Sequence, residues 1–250
     1  MIDIIKAELY KLYKRKFVLT LCFLCLLPFI YGIGEYLHWK IIVIGAKLDL
    51  ITFITSMWSF TLILTVPIIL LLTMTAGLVA GEIEDGQILL EITRVTTRNQ
   101  LIIGKYFAIV FITVFFYVLN ISASFLAYIL FLSNTSKGYK NILTMHSYNI
   151  ESILISLCSL IFLIFMITLT FNFSTRKGIV VSTMIGFVSY LVCMLLGYID
   201  VISKFVPGYY TVVSNSHFSI LTVFIQLVEM FVMITLLIAN ACYNFKIKEF

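Results

Sequence analysis

Apolar runs dominate this chain, and the polar intervals between them mark out six segments long enough to cross a bilayer, which takes about 20 residues each. The expected spans are residues 17–36, 53–80, 101–132, 152–173, 179–198 and 220–242. Ahead of the first, residues 1–16 carry Ile2, Ile5, Leu9 and Leu12 on one face and Lys6, Lys11, Lys14 and Arg15 elsewhere. That is the pattern of a helix lying along a membrane surface. No small-residue cleavage site follows, so the first span is expected to stay in place. The connector 174–178 is short enough to make spans 4 and 5 antiparallel neighbours.

The longest polar interval, residues 81–105, separates spans 2 and 3 and holds Glu82, Glu84, Asp85 and Glu91 with Arg94, Arg98 and Lys105. Residues 87–93 read as a short amphipathic helix, with Ile88, Leu89 and Ile92 at helical spacing beside Gln87. Thr97 followed by Gln100 reads as a capping box that starts the third span. Just upstream, Gly77 and Gly81 sit at the spacing that lets helix backbones approach closely. A second interval, 199–219, mixes Asp200, Lys204, Pro207 and His217 with Val, Phe and Tyr. It is expected to be an external loop; re-entry into the interface is the open alternative, and it requires protein to cover the backbone.

The expected architecture is a single all-α transmembrane domain over residues 1–250: six spans, an N-terminal interfacial helix, and a polar loop at 81–100 that docks something soluble. At 62% hydrophobic and 12% charged, with a mean hydropathy of +1.10, the chain lies outside soluble globular usage. Of its 17 Lys and Arg, twelve fall in the N-terminus, the 81–105 loop, the 174–178 connector and the tail. The positive-inside rule therefore predicts both termini and the long loop in the cytoplasm of a multi-pass cell-membrane protein. The net charge of +5 is explained by topology and implies no nucleic-acid partner. The five cysteines all lie in or at the end of apolar segments, where they read as small packing residues.

No catalytic pattern is present, whether a Walker loop, a G-x-S-x-G or an H-E-x-x-H. Glu82, Glu84 and Asp85 match no calcium loop and suit a helix N-terminus better than an ion. Asn120 near the middle of span 3 reads as an interhelical hydrogen bond ahead of a substrate contact. In span 6, Thr222, Gln226 and Glu229 form a polar stripe. Glu229 costs about 2.5–3.5 kcal/mol at mid-bilayer, so it must face a partner, a cavity or the bundle interior. Two readings stay open for it: helix–helix bonding, or a lining that touches substrate or a proton.

The N-terminal surface helix, six spans, polar loop after span 2 and semi-apolar loop before span 6 resemble the ABC-2-type permease family. Glu84-Asp85-Gly86, Thr93 to Arg98 and Gly104-Lys105 look like that family's "E-x-G … P-x-[ST]-R … G-K" loop, with Val95 where proline is often found. The opening IIKAELYKLYKRK is most similar to short permeases for antimicrobial peptides in Gram-positive bacteria, such as the lantibiotic-immunity, bacitracin-resistance and modulin-exporter types. The resemblance implies a coupling helix at 87–93 seated on a cytosolic ABC ATPase, with Glu84, Asp85, Gln87, Ile88, Glu91, Arg94 and Arg98 as coupling residues. It implies ATP and Mg on that partner with no cofactor on this chain, a second permease subunit, membrane lipid, and a peptide or hydrophobic substrate. The rival expectation is a membrane immunity or scaffold protein that binds its target without transport.

Overall fold

A computed structural model describes residues 2–40, 47–93, 97–139, 147–199, 202–211 and 218–248. Among these the fold is helical throughout, with no strand and a single isolated bridge between Leu48 and Gly138. Six helical segments are long and apolar enough to cross a membrane.

The N-terminal helix α1 (Ile2–Lys14) is followed by the first candidate span, itself made of α2 (Phe17–Leu24) and α3 (Leu27–Tyr36). Pro28 lies in the first turn of α3, where its missing N–H has no helical partner to lose. The second predicted span divides the same way. It forms α4 (Leu50–Ile63) and α5 (Val66–Ala76), broken at Thr65, whose φ of 58° is left-handed, and restarted at Pro67. Proline cannot donate the hydrogen bond that would join the two helices. The segment of this pair with spanning length is Val66–Glu84, and α4 is a shorter apolar helix.

After α5 the backbone widens into a π turn, Gly77–Gly81, before the short α6 (Glu82–Glu84). Next come α7 (Gln87–Ile92) and α8 (Arg98–Leu130), which at about 1.5 Å per residue is roughly 50 Å long and outreaches a 30 Å hydrocarbon layer. Thr97 caps α8 by accepting the Gln100 N–H at 3.3 Å. The remaining helices are α9 (Ser147–Ser174), α10 (Ile179–Leu196) and α11 (Ile220–Ile247).

The spans containing α5, α8 and α9 are mostly buried, while α2–α3, α10 and α11 form the periphery. Polar side chains stitch the centre together. Trp58 of α4 is wholly buried and donates its indole N–H to Ser159 at 2.8 Å. Tyr106 pairs with Thr168, Tyr117 with Ser156, and Asn120 donates to Thr61 at 3.1 Å. Such bonds average about 0.6 kcal/mol in membranes, so they fix register more than they stabilise. Asn120 is thereby placed in helix packing.

On α1 the buried face overlaps the predicted stripe but is turned from it. Leu12 is buried and Leu9 packs on the core, whereas Ile2 is exposed and Glu8, with Ile4 and Lys11, joins the inward side. The reason lies in α8: at Gly104 a Cβ would come within 2.7 Å of Ile4 Cγ2, so α1 crosses α8 where only glycine admits it. Gly104→Leu is expected to cost about 1–3 kcal/mol by overpacking and to be partly restored by Ile4→Ala. An unchanged melting temperature in detergent for Gly104→Leu would show that α1 does not seat there.

Candidate functional site

The side chains that converge lie where α1, α6, α7 and α8 meet. Lys105, fully buried two turns into α8, donates to Glu8 at 2.9 Å and to Glu82, and stands 2.8 Å from Glu91 Oε2. Lys11 of α1 donates to the same three carboxylates, at 2.9 Å to Glu8 and 3.2 Å to Glu82. Arg15 reaches Glu82 at 3.6 Å and donates to the Gly77 carbonyl at 3.3 Å. Three cations face three carboxylates, so the cluster is electrically balanced. Its members come from α1, α6, α7 and α8, and none can leave without stranding a charge.

Local structure explains the placement. The π turn inserts an extra residue into α5–α6, and each added residue rotates the downstream helix by about 100°, which turns Glu82 inward while Glu84 and Asp85 face out. Gly86, at φ 70°, then supplies the left-handed step that starts α7. On α7 itself, Ile88 is buried and Glu91 is directed at Lys11 and Lys105. Leu89 and Leu90 are exposed, at 48% and 65%.

Glu84 does something else. Its carboxylate accepts the backbone N–H of Ile179 at 3.2 Å, at the start of α10. A first-turn N–H has no partner within its own helix, and an acid there suits the helix dipole. The loop after α5 therefore grips α1, α8 and α10 together. At the same end, Arg98 donates to the carbonyls of Lys246 and Lys248, and Lys248 donates to the Thr175 carbonyl. Arg176 donates to Asn244, and Asn240 and Asn244 both donate to Asn172.

Of the predicted coupling residues, Glu84, Asp85, Gln87, Ile88 and Glu91 gather around α7, with Asp85 and Gln87 exposed. Arg98 is committed to the C-terminal backbone, and Arg94 lies outside the described residues. Glu82, Glu84 and Asp85 point three ways and form no ligand set. The carboxylates of Glu8, Glu82 and Glu91 do lie within 4.8 Å of one another. The Lys105 ammonium already sits among them and balances the charge an ion would need.

The span 6 residues separate too. Gln226, almost fully buried, donates to the Lys204 carbonyl at 2.8 Å and accepts the Gly208 N–H at 3.2 Å. It clamps residues 202–211, where Ser203, Tyr209 and Tyr210 are buried, against α11, beside buried Thr222. Glu229 is half-buried on α11, in a shallow groove with Phe205, Phe224 and Val228. The inward stripe of α11 runs instead through Gln226, Met230, Ala241 and Asn244.

Glu8, Lys11, Arg15 and Lys105 do not stand out as a site in the sequence. A signal is nonetheless present: Glu8, Lys11, Leu12 and Arg15 share one helical face, and Lys105 stands inside an apolar run, where a lysine needs a partner.

Burial pushes the Glu91 carboxyl up, but Lys105 and Lys11 outweigh it and hold it below the usual carboxylate value of 4.5. For Lys11, burial pulls downward, and Glu91, Glu8 and Glu82 overcome it, leaving the ammonium above the ordinary lysine range. A depressed acid contributes stability above its unfolded pKa and loses it as pH falls through the folded value; a raised lysine contributes below its unfolded pKa and loses it only as pH rises through the folded one. The Glu91 contribution to the melting temperature is therefore expected to be constant around neutrality and to be lost once pH drops below 4.5, whereas Glu82, whose carboxyl burial pushes up, contributes with the opposite sign as pH falls. Glu91→Gln should shrink that acid-side loss, and an equal loss in wild type and variant would exclude Glu91 as its source.

No protein-family model, no curated protein and no solved structure matches this chain.

Proposed function

We propose that this chain is the membrane-spanning subunit of an ATP-driven exporter of the ABC-2 type, moved by a separate cytosolic ATPase that seats on α7. The observation that carries this reading is the two-sidedness of α7. One side presents exposed Leu89 and Leu90, and the other, through buried Ile88 and through Glu91, is fixed to α1 and to α8, the helix that runs the length of the bundle. A handle needs both an exposed grip and a rigid connection to what it moves. Glu84 adds a direct link to the start of α10.

On this reading the α7 end is cytoplasmic, which the distribution of Lys and Arg supports, and both termini lie there with it. ATP and Mg bind the partner. A second permease subunit, identical or related, completes the pathway, and the cargo is an amphipathic or antimicrobial peptide or another hydrophobic compound, expelled across the cell membrane of a Gram-positive bacterium. The test is to purify the chain from its native membrane in mild detergent. An ATPase that co-purifies, with hydrolysis stimulated by the permease, supports the proposal. A pure preparation with no ATPase supports an immunity or scaffold protein instead.

A further inference from the structure

At the end of the bundle opposite the ionic cluster, the break between α4 and α5 leaves a cavity of about 230 Å³. Ile68 of α5, Phe162 and Leu163 of α9, and Tyr190 and Met194 of α10 form most of its wall; Ser159, Tyr210 and Thr211 line it too, with their hydroxyls donated to the carbonyls of Ser156, Ser219 and Gly208. Ser59 and Ile63 of α4 stand at its mouth and are exposed. The same two residues also line an adjoining groove of about 310 Å³ whose other walls include Thr55, Ser56 and Ser152. Cavity and groove share this wall, so a largely apolar depth lies beside a hydroxyl-lined porch.

The chemistry of the lining restricts what fits. An apolar cavity of about 150 Å³ stays dry and admits benzene, so the depth here accepts a larger ring or a medium-length alkyl chain. In the porch, the Ser59 hydroxyl donates to the Thr55 carbonyl, Thr55 to Ile51, and Ser152 to Tyr148. Their protons are committed to helix carbonyls, and the oxygens keep lone pairs free to accept. The complementary head group is therefore a donor such as a hydroxyl or amide N–H. No charged side chain lines either part, so nothing offsets the desolvation of an ionic head.

We infer that this chain binds a single-chain neutral amphiphile within one subunit, with its alkyl tail between α5, α9 and α10 and a hydrogen-bond-donating head on the α4 hydroxyls. The site stands on its own lining and does not depend on the ATPase reading.

The test uses the full chain in nanodiscs with a photoreactive octanol carrying a diazirine on its tail, adducts being mapped by peptide mass spectrometry. Adducts are expected on Phe162, Leu163 or Tyr190, displaced by excess octanol at a concentration at least about tenfold lower than by octanoate, a preference a neutral site should show. Ser59→Trp, placed at the exposed mouth, should suppress these adducts and leave those on the lipid-facing Phe231 and Leu236 unchanged. Labelling confined to lipid-facing residues, equal displacement by octanoate, or full labelling in Ser59→Trp would each overturn the proposal. The competition arm needs no substitution, so a variant that misfolds leaves the question decidable.

Discussion

Replacing Lys105 by Met is expected to be the most damaging single substitution in this chain, costing about 3–5 kcal/mol, the range for removing one partner of a buried ion pair. Met is close in shape and apolar, so the loss would not come from a cavity. It would come from Glu8 and Glu82, both buried, and from Glu91, left with Lys11 and Arg15 as their remaining cations. Three carboxylates would then face two cations. Charge balance makes a second outcome specific: Lys105→Met combined with Glu82→Gln restores two against two and should recover part of the lost stability. Thermal unfolding in detergent reads both. If Lys105→Met melts with wild type, or if neutralising Glu82 makes matters worse, the cluster does not clamp these helices together. A balanced buried cluster contributes little net stability compared with an apolar replacement. Its effect here is to fix how α1, α6, α7 and α8 sit together.

The second large effect tests the proposed ATPase partner. Leu89→Asp with Leu90→Asp is expected to weaken ATPase binding on the order of a hundred- to ten-thousand-fold. Burying each leucine is worth about 1.5–3 kcal/mol, and every 1.4 kcal/mol is tenfold in affinity. Both side chains are largely exposed, so the fold and melting temperature should stay as they are. Arg98→Glu is the informative contrast. Because Arg98 holds the carbonyls of Lys246 and Lys248, that change should loosen the C-terminal tail and leave the ATPase bound. An ATPase retained by the double aspartate variant would remove α7 as the handle.

Much of the helical plan is legible in the sequence because it depends on local properties. Spans need length and hydropathy, which are read residue by residue, and five of the six lie close to where the helices form. The Thr97 cap and the short helix at 87–92 are legible for the same reason: both are set by spacing of a few residues. The second span reads as one helix because its hydropathy is continuous across Thr65, and Pro67 is the only mark of the break. The buried face of α1 is turned from the apolar stripe for a different reason. Leu9 and Leu12 stay on it, but the bundle also offers Lys105, and a buried lysine requires Glu8 more strongly than a membrane surface requires Ile2.

Composition and periodicity alone determined that the described residues are helical, that six apolar helices of spanning length lie among them, and that the longest polar interval follows the second of these. Those conclusions rest on short-range regularities and on the cost of exposing apolar surface. Tertiary structure decided which charges meet, that Glu84 ties itself to α10 while Glu91 turns inward, that Gln226 clamps residues 202–211, and where the cavity lies. These depend on groups far apart in the chain, 97 residues in the case of Glu8 and Lys105, and a pairing at that separation is fixed by how helices cross, which no local pattern encodes.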